Sequence, residues 1–330
     1  WVFRANARLA LHAFTGDAEE IVLGLRDTER ALELGVRPED AYRTAADLHL
    51  ADGRIGDAIE SMEKGLEHAP GDPELHLALA AALEAAGRTD EAESEIRHAI
   101  YLRPDYWVGY DRLAKFQLAQ GDLEAAAVEF QHVIDCAPDF NLGYVKLAGV
   151  YMYLDRPEPA AALLEQSLEL EPNPWALTNL GTYHYDAARY ARAAEYFEAA
   201  VDLREDDSTL WGNLAFAYRY GSEPEKADQA FMRAIELGTA ESREHPDDLE
   251  LAASIAGYHA MLGQRDRGLE ILEDVVAMQP TSPLLFSLIA ETFEDLGDRD
   301  RALEWVGRAF EAGIEPSRFE DRPTLGNLVA

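Results

Sequence analysis

The segment Gly87-Arg-Thr-Asp-Glu-Ala92 recurs 34 residues later as Gly121-Asp-Leu-Glu-Ala-Ala126. Copies of the same frame also begin at Gly53, Gly263 and Gly297. The prolines keep the same 34-residue interval at positions 70, 104, 138 and 172. A fixed period of this length predicts a repeat architecture in which each unit packs mainly on its neighbours.

Each copy of the frame has apolar residues at three- and four-residue spacing, which predicts two amphipathic helices per repeat. The glycine between them suits a left-handed end of the first helix, and the acidic residue after it favours the start of the second. Small residues such as Ala80 and Ala92 let helices approach closely, and a bulky residue such as Ile96 fills the space between repeats. A single pair cannot bury its apolar face, so we expect the pairs to stack into one array.

This frame resembles the tetratricopeptide repeat. The resemblance implies an all-α fold, a right-handed α-solenoid of stacked antiparallel helix pairs. Two copies depart from the pattern, because Asp155 and Ala188 stand where the glycine is expected. The predicted segments are a degenerate repeat (1–38), six repeats (39–72, 73–106, 107–140, 141–173, 174–207, 208–241), an insertion (242–248), two further repeats (249–316) and a C-terminal tail (317–330).

Composition argues against several classes of partner. The chain has 63 acidic and 29 basic side chains and a formal charge of −34. Nucleic acid and anionic membranes are therefore disfavoured, since both attract lysine and arginine. No apolar run approaches the ~20 residues that span a bilayer. The chain begins at Trp1 rather than Met and carries no visible export signal, so we expect a fragment or processed chain and favour the cytoplasm.

The sequence carries no recognised catalytic motif. It contains no glycine-rich phosphate loop, nucleophile elbow, kinase catalytic loop or paired-cysteine motif. His132, Asp135 and Cys136 could share one helix face as metal ligands, but they fall where this family packs one repeat on the next. His184 stands at a position that is normally packed. We therefore predict no enzyme activity, no cofactor and no metal.

In this family the first helix of each repeat lines a concave groove. In the repeats that span residues 107–220, the inward positions of the first helices carry four bases and two acids, a net charge of +2. The whole stretch nevertheless has 18 acids and 8 bases. The corresponding positions are net −3 in the repeats from Glu39 and Pro73 and net −4 in the last two repeats. A low-dielectric concave wall strengthens such a local field.

Two further signals lie in the same stretch. Asn179 and Asn213 resemble rungs of the asparagine ladder of the superhelical domain in O-linked N-acetylglucosamine transferase, in which side-chain amides hold a peptide backbone. Aromatic residues at inward positions are suited to anchoring a ligand. Solvated polar positions and ordinary packing remain the alternatives. The candidate peptide-binding residues are Arg112, Lys115, Lys146, Tyr153, Trp175, Asn179, Tyr185, Asn213, Arg219 and Tyr220.

We predict a non-enzymatic scaffold that binds an extended, acidic or C-terminal peptide segment of a partner protein. The carboxylate clamp of chaperone-tail-binding repeats is absent, because no three consecutive repeats supply its residues. Two alternatives stay open. Residues 302–313 and 321–328 resemble repeat regions of bacterial signalling proteins (serine/threonine kinases, adenylate cyclases and winged-helix regulators), which suggests a regulatory role. Self-assembly through Trp1 and Phe3 is the other.

Overall fold

The computed structural model describes residues 1–35 and 37–316. The predicted tail, 317–330, lies outside these residues. The described part contains eighteen helices and no strand. The helices are α1 (Val2–Thr15), α2 (Ala18–Leu34), α3 (Pro38–Ala51), α4 (Ile55–His68), α5 (Pro73–Ala85), α6 (Thr89–Leu102), α7 (Trp107–Ala119), α8 (Leu123–Cys136), α9 (Asn141–Tyr153), α10 (Pro157–Leu170), α11 (Pro174–Asp186), α12 (Tyr190–Leu203), α13 (Ser208–Tyr220), α14 (Pro224–Glu244), α15 (Leu249–Met261), α16 (Arg265–Ala277), α17 (Pro283–Asp295) and α18 (Arg299–Glu311).

From α1 to α8 and from α11 to α18, each odd-numbered helix packs on the even-numbered helix that follows it. The fold class, all-α with stacked helix pairs, is confirmed. The chain forms two compact units, Trp1–Arg156 with α1 to α9 and a second unit that begins at Pro157 with α10 to α18. Within each unit the second helix of a pair packs on the first helix of the next pair.

Each unit has its own apolar core. Met62 and Phe130 are buried in the first unit, and Phe231 and Phe293 are buried in the second. The small residues predicted to allow close approach, Ala80 and Ala92, are fully buried, as is Ile96. Burial of such side chains supplies the main driving force that holds neighbouring pairs together.

The turn inside each pair has a left-handed residue at the predicted glycine position. Glycines occupy it with φ between 70° and 79° in five repeats. Asp155, Ala188 and Ser222 take the same conformation with φ of 56°, 54° and 66°. The next backbone N–H then bonds a carbonyl five residues back, as from Arg189 to His184 at 2.8 Å. Glycine is therefore not required for this conformation, since Ala188 and Ser222 adopt it between helices of the second unit that pack on each other.

The predicted insertion at 242–248 takes the form of a longer helix. α14 has 21 residues where α12 has 14, so its last turns include residues 242–244. The connection to α15 is residues 245–248, which is as long as the connection 204–207 between α12 and α13. The seven extra residues correspond to about two helical turns. The face of α14 that packs on α15 is consequently preserved.

Candidate functional site

The predicted cations of the first unit gather around two carboxylates. Lys146 Nζ on α9 lies 2.5 Å from Asp111 Oδ1 on α7, and Lys115 Nζ lies 2.7 Å from Asp111 Oδ2. Arg112 donates from Nη2 to Glu84 Oε1 of α5 at 2.9 Å. Asp111 is buried, with 6% of its surface exposed. A buried carboxylate needs such partners, because ionised groups lose hydration when they leave water.

These five side chains leave one positive charge in excess. Three cations face Glu84 and Asp111, and two lysines share the single Asp111 carboxylate. The side chain of Lys115 is half exposed, whereas that of Lys146 is mostly covered. Lys115 is therefore the ammonium group most accessible to an incoming anion.

Two predicted aromatic residues are exposed. Tyr153, at the end of α9 in the first unit, is 80% exposed, and Trp175, at the start of α11 in the second unit, is 63% exposed. Neither side chain belongs to an apolar core. Large exposed aromatic side chains are efficient contact groups, since they bury much apolar area with few rotatable bonds.

Asn179 and Arg219 are bonded within the second unit. Asn179 donates from Nδ2 to the carbonyl of Trp175 in its own helix at 2.8 Å. Arg219 donates from Nη2 to a carboxylate oxygen of Asp228 and, at 3.1 Å, to the carbonyl of Met261. The amide donor of Asn179 and the guanidinium of Arg219 thus already have partners inside the protein.

A cavity of about 390 Å³ opens among the first helices of the second unit. Its lining comes from α11, α12, α13, α15 and α17. Three predicted residues, Tyr185, Asn213 and Tyr220, meet in its wall. Its volume lies within the range typical of small-ligand sites.

Three tyrosines form one wall of this cavity. The Tyr185 ring lies 5.4 Å from Tyr190 and 6.0 Å from Tyr220, and the Tyr190 and Tyr220 rings are 5.6 Å apart. Burial, followed by nearby Asp295 and Glu291, raises the pKa of Tyr220 to about 12. Burial also raises the pKa of Tyr185. Both phenols consequently stay protonated and neutral at physiological pH.

Three carboxylates also line the cavity, namely Asp186 at the end of α11 and Glu291 and Asp295 on α17. Burial, with smaller contributions from Glu291 and Glu294, raises the pKa of Asp295 to about 7. Glu291 and Asp295 are among the acids that give the inward positions of the last two repeats their net −4, but sequence reasoning did not assign them to the site. It also missed Tyr190, which begins a second helix. The four-residue spacing of Glu291 and Asp295 was the available signal.

Of the other chemically interesting residues, His184 is buried and Cys136 is half-buried, whereas His132 is exposed. The Cys136 thiol donates to the carbonyl of Pro104 at 3.8 Å, and burial raises the pKa of this thiol. The His132 ring lies 5.1 Å from Tyr110. His184 is buried and stacks on Tyr196 at 5.3 Å, and burial lowers the pKa of His184. No group of three or more histidine, cysteine or carboxylate side chains within the described ranges could hold a metal ion.

None of the described helices combines the length and the apolar character needed to cross a bilayer.

Models of the tetratricopeptide repeat match residues 49–114, 143–174 and 175–206. A solved tetratricopeptide repeat protein from Parabacteroides merdae aligns with 78% of this chain and 98% of its own, at a TM-score of 0.59 and 18% identity. The fold is therefore the stacked helix-pair array of such proteins.

Curated relatives match shorter segments. Superkiller protein 3 of Schizosaccharomyces pombe is 25% identical over 138 residues, which is 42% of this chain and 9% of that protein. The BBSome complex member BBS4 of Xenopus tropicalis is 33% identical over 79 residues, which is 24% of this chain and 15% of that protein. The matched segments thus span no more than 15% of the length of these two relatives.

Proposed function

We propose that this chain, which contains tetratricopeptide repeats, is a non-enzymatic scaffold that binds an extended segment of a partner protein on its first helices. The observation that carries the proposal is the pair of lysines that share one carboxylate, Lys115 and Lys146 at Asp111. An ammonium group in excess on an exposed surface can accept a second anion. Charge-assisted hydrogen bonds to such a group are stronger than neutral ones.

The first unit also supplies an exposed aromatic contact group on the helix that carries Lys146. Tyr153 follows Lys146 by seven residues on α9, about two turns, so both lie on the same side of the helix. The partner segment that fits this face carries an aspartate, a glutamate or a C-terminal carboxylate beside an apolar side chain. The chain's overall charge of −34 does not prevent this, because nearby charges dominate at contact and distant ones are screened by salt.

Fluorescence anisotropy with defined peptides tests the proposal. The peptides are an acidic peptide with a free C-terminus, its C-terminally amidated form and a form with asparagine and glutamine in place of the acids. We expect the acidic peptide to bind and Lys115→Gln combined with Tyr153→Ala to weaken binding by about tenfold. Lys226→Gln, which removes a lysine of α14 that pairs with Glu223, is the matched control. Equal binding of all three peptides, or no effect of the double substitution, would refute the proposal.

Self-association is a second candidate, and the exposed apolar face of α1 favours it. Phe3 is 87% exposed and Phe14 is 90% exposed, and Leu11 is 45% exposed between them. Their spacing of eight and three residues places all three on one side of the helix. Light scattering over a concentration series should show an oligomer that Phe3→Ser with Phe14→Ser abolishes. A monomer at every concentration would contradict this candidate.

A regulatory role in a larger bacterial signalling protein remains a prediction. It rests on the resemblance of residues 302–313 and 321–328, of which the second segment lies outside the described residues. The coding sequence upstream of Trp1 tests it, since a kinase, cyclase or DNA-binding domain there would support the role. An upstream sequence that encodes none of these domains would count against it.

A further inference from the structure

Aromatic side chains dominate the lining of the second-unit cavity. They make up 9% of the chain but six of the seventeen described residues that line this cavity. Such an enrichment favours an aromatic guest, because aromatic rings in contact gain more than the area they bury. The six residues come from α11, α12, α13 and α15, and they are Tyr185, Tyr190, Phe197, Phe216, Tyr220 and Tyr258.

Five of these rings hold one another in place. In the tyrosine wall, Tyr185 is steeply inclined to Tyr190 and to Tyr220, at interplanar angles of 69° and 71°. Phe216 and Tyr258 form a second contact, with ring centroids 6.1 Å apart. These arrangements lie within the range of favourable ring pairs, about 4.5–7 Å between centroids. The aromatic lining is therefore already ordered, so a guest need not order it on binding.

The size of the cavity suits one substituted ring. An apolar cavity of about 150 Å³ can already hold benzene. The second-unit cavity has a volume of about 390 Å³, and Leu288 adds apolar surface to its lining. A ring with a polar substituent and a short alkyl stem therefore fits within it.

Asn213 is the polar group that such a guest would meet. Its side chain lines the cavity and has no hydrogen-bond partner within residues 1–35 and 37–316, whereas the Asn179 amide bonds the Trp175 carbonyl. Asp186 and Glu291 also line the cavity, but both already interact with other groups of the protein. An amide oxygen accepts a hydrogen bond from a phenol O–H or an indole N–H.

The lining offers an anionic guest no basic partner. Among the residues that the structure describes, no lysine, arginine or histidine lines the cavity. A carboxylate or phosphate group moved out of water into this cavity would lose hydration without gaining a cation. The guest that fits is therefore aromatic and uncharged.

We infer that this cavity binds one neutral aromatic ring that carries an O–H or N–H donor, a phenol or an indole. Two sources share this chemistry: a tyrosine or tryptophan side chain of a partner segment, and a free aromatic compound. In the first case the inference rests on the proposed function, and in the second case it stands without it. The tyrosine wall packs on the ring, and the Asn213 amide accepts the hydrogen bond.

Ligand-observed NMR titration of the whole chain at pH 8 tests the inference with p-cresol, which is neutral there because a phenol has an ordinary pKa of about 10. 4-Methylcyclohexanol keeps the hydroxyl and the carbon skeleton but lacks the aromatic ring. We expect p-cresol to bind more tightly than this alcohol by about threefold to tenfold. The blocked tripeptide acetyl-Gly-Tyr-Gly-amide identifies the source. Tighter binding of the tripeptide than of p-cresol indicates a partner segment, and weaker binding indicates a free compound.

Substitutions at the tyrosine wall locate the binding. Tyr220→Leu should weaken p-cresol by about threefold to tenfold, whereas Tyr220→Phe, which keeps the ring, should retain it. Tyr101→Leu is the matched control and should leave binding unaltered, because Tyr101 is 80% exposed on α6 of the first unit. Circular dichroism melting confirms that each variant is folded.

Asn213→Leu tests the hydrogen bond. It should weaken p-cresol by about fivefold, because the ring loses the acceptor for its hydroxyl. Toluene has the same ring without a hydroxyl, so its binding should not weaken in this variant. A merely structural effect of the substitution would weaken both compounds alike.

The inference is overturned if neither p-cresol nor the tripeptide binds, if 4-methylcyclohexanol binds as tightly as p-cresol, or if Tyr101→Leu weakens binding as much as Tyr220→Leu does. An equal loss of p-cresol and toluene in Asn213→Leu would overturn the assigned hydrogen bond. Failure here is distinct from failure of the proposed function. Lys115→Gln and Tyr153→Ala test an anion at the first unit, and they leave every residue of the second-unit cavity unchanged.

Discussion

Lys146 on α9 bonds Asp111 on α7 at 2.5 Å, so the ion pair joins the first helices of two consecutive repeats in the first unit. Lys115, one turn after Asp111 on the same helix, shares the carboxylate. Asp111 is buried. The same lysines therefore contribute to stability and present charge at the surface.

Lys146→Met should lower the free energy of unfolding by about 1–2 kcal/mol, because Asp111 loses one of its two cationic partners in a buried setting. Combining it with Asp111→Asn should recover most of that loss, since no unpaired charge is then buried. Urea denaturation of the single and double variants measures both effects. If the double variant were less stable than Lys146→Met alone, this account of the pair would be wrong.

Asp295 should make the fold less stable as the pH rises from about 4 to about 7. Burial raises the pKa of Asp295 to about 7 from 3.8. Between these values the folded chain holds a proton that the unfolded chain releases, so the free energy of unfolding falls with pH and levels off above 7. Titratable groups from the surrounding helices line the same cavity or act on this carboxylate: Tyr185, Asp186, Tyr190, Tyr220, Tyr258, Glu291 and Glu294.

Asp295→Asn should remove this contribution to the pH dependence and raise stability at pH 8, because the asparagine amide carries no charge to repel Glu291. Urea unfolding from pH 4 to pH 8 compares the two proteins, with Asp300→Asn as the control. An identical pH profile for the wild type and Asp295→Asn would show that Asp295 titrates normally.

Ala188→Gly should stabilise the second unit by about 1 kcal/mol, because Ala188 has φ of 54° and a side chain disfavours that conformation. Gly87→Ala, at the corresponding position in the first unit with φ of 73°, should destabilise by a similar amount. Thermal melting of both variants checks the prediction. We expect Ala188→Gly to raise the melting temperature and Gly87→Ala to lower it. A lower melting temperature for Ala188→Gly would contradict the prediction.

Gly181→Ala should destabilise the second unit by about 1–3 kcal/mol through overpacking. An added Cβ at Gly181 would lie 2.5 Å from the Phe197 ring. Gly149 on α9 is the matched control, because an added Cβ there meets nothing within 4 Å, and Gly149→Ala should be neutral or stabilising by up to about 1 kcal/mol. If both substitutions changed the free energy of unfolding in denaturant by the same amount, the steric explanation would be wrong.

The helix pairs could be predicted from sequence because the signal is local and repeated. Period, apolar spacing and the glycine position all lie within 34 residues, so each copy reinforces the others. Asp155 and Ala188 were recognised as departures in residue type. The left-handed backbone of Ala188 accompanies the packing of α11 on α12, which residue type alone does not reveal.

The candidate site was predicted only in part, because it depends on contacts between repeats. The inward positions were counted one repeat at a time. The aromatic positions of the middle repeats were therefore not considered together with Glu291 and Asp295, which belong to a later repeat. In the second unit α11 and α17 line the same cavity, although Asp186 and Glu291 are 105 residues apart in sequence. Likewise, the sum of inward charges counted Lys146 and Asp111 separately and could not show that they are bonded.

The length of α14 indicates which changes in helix length this array can accept during evolution. Its seven added residues turn the helix through almost two full turns, about 20° less than two complete turns. The connection to α15 has four residues, as does the corresponding connection after α12. An insertion of five residues would instead turn the contacting side of the helix by more than a quarter revolution. Natural insertions and deletions in the second helices should therefore mainly add or remove a number of residues close to whole helical turns. Among natural length variants, changes of seven residues should outnumber changes of five residues.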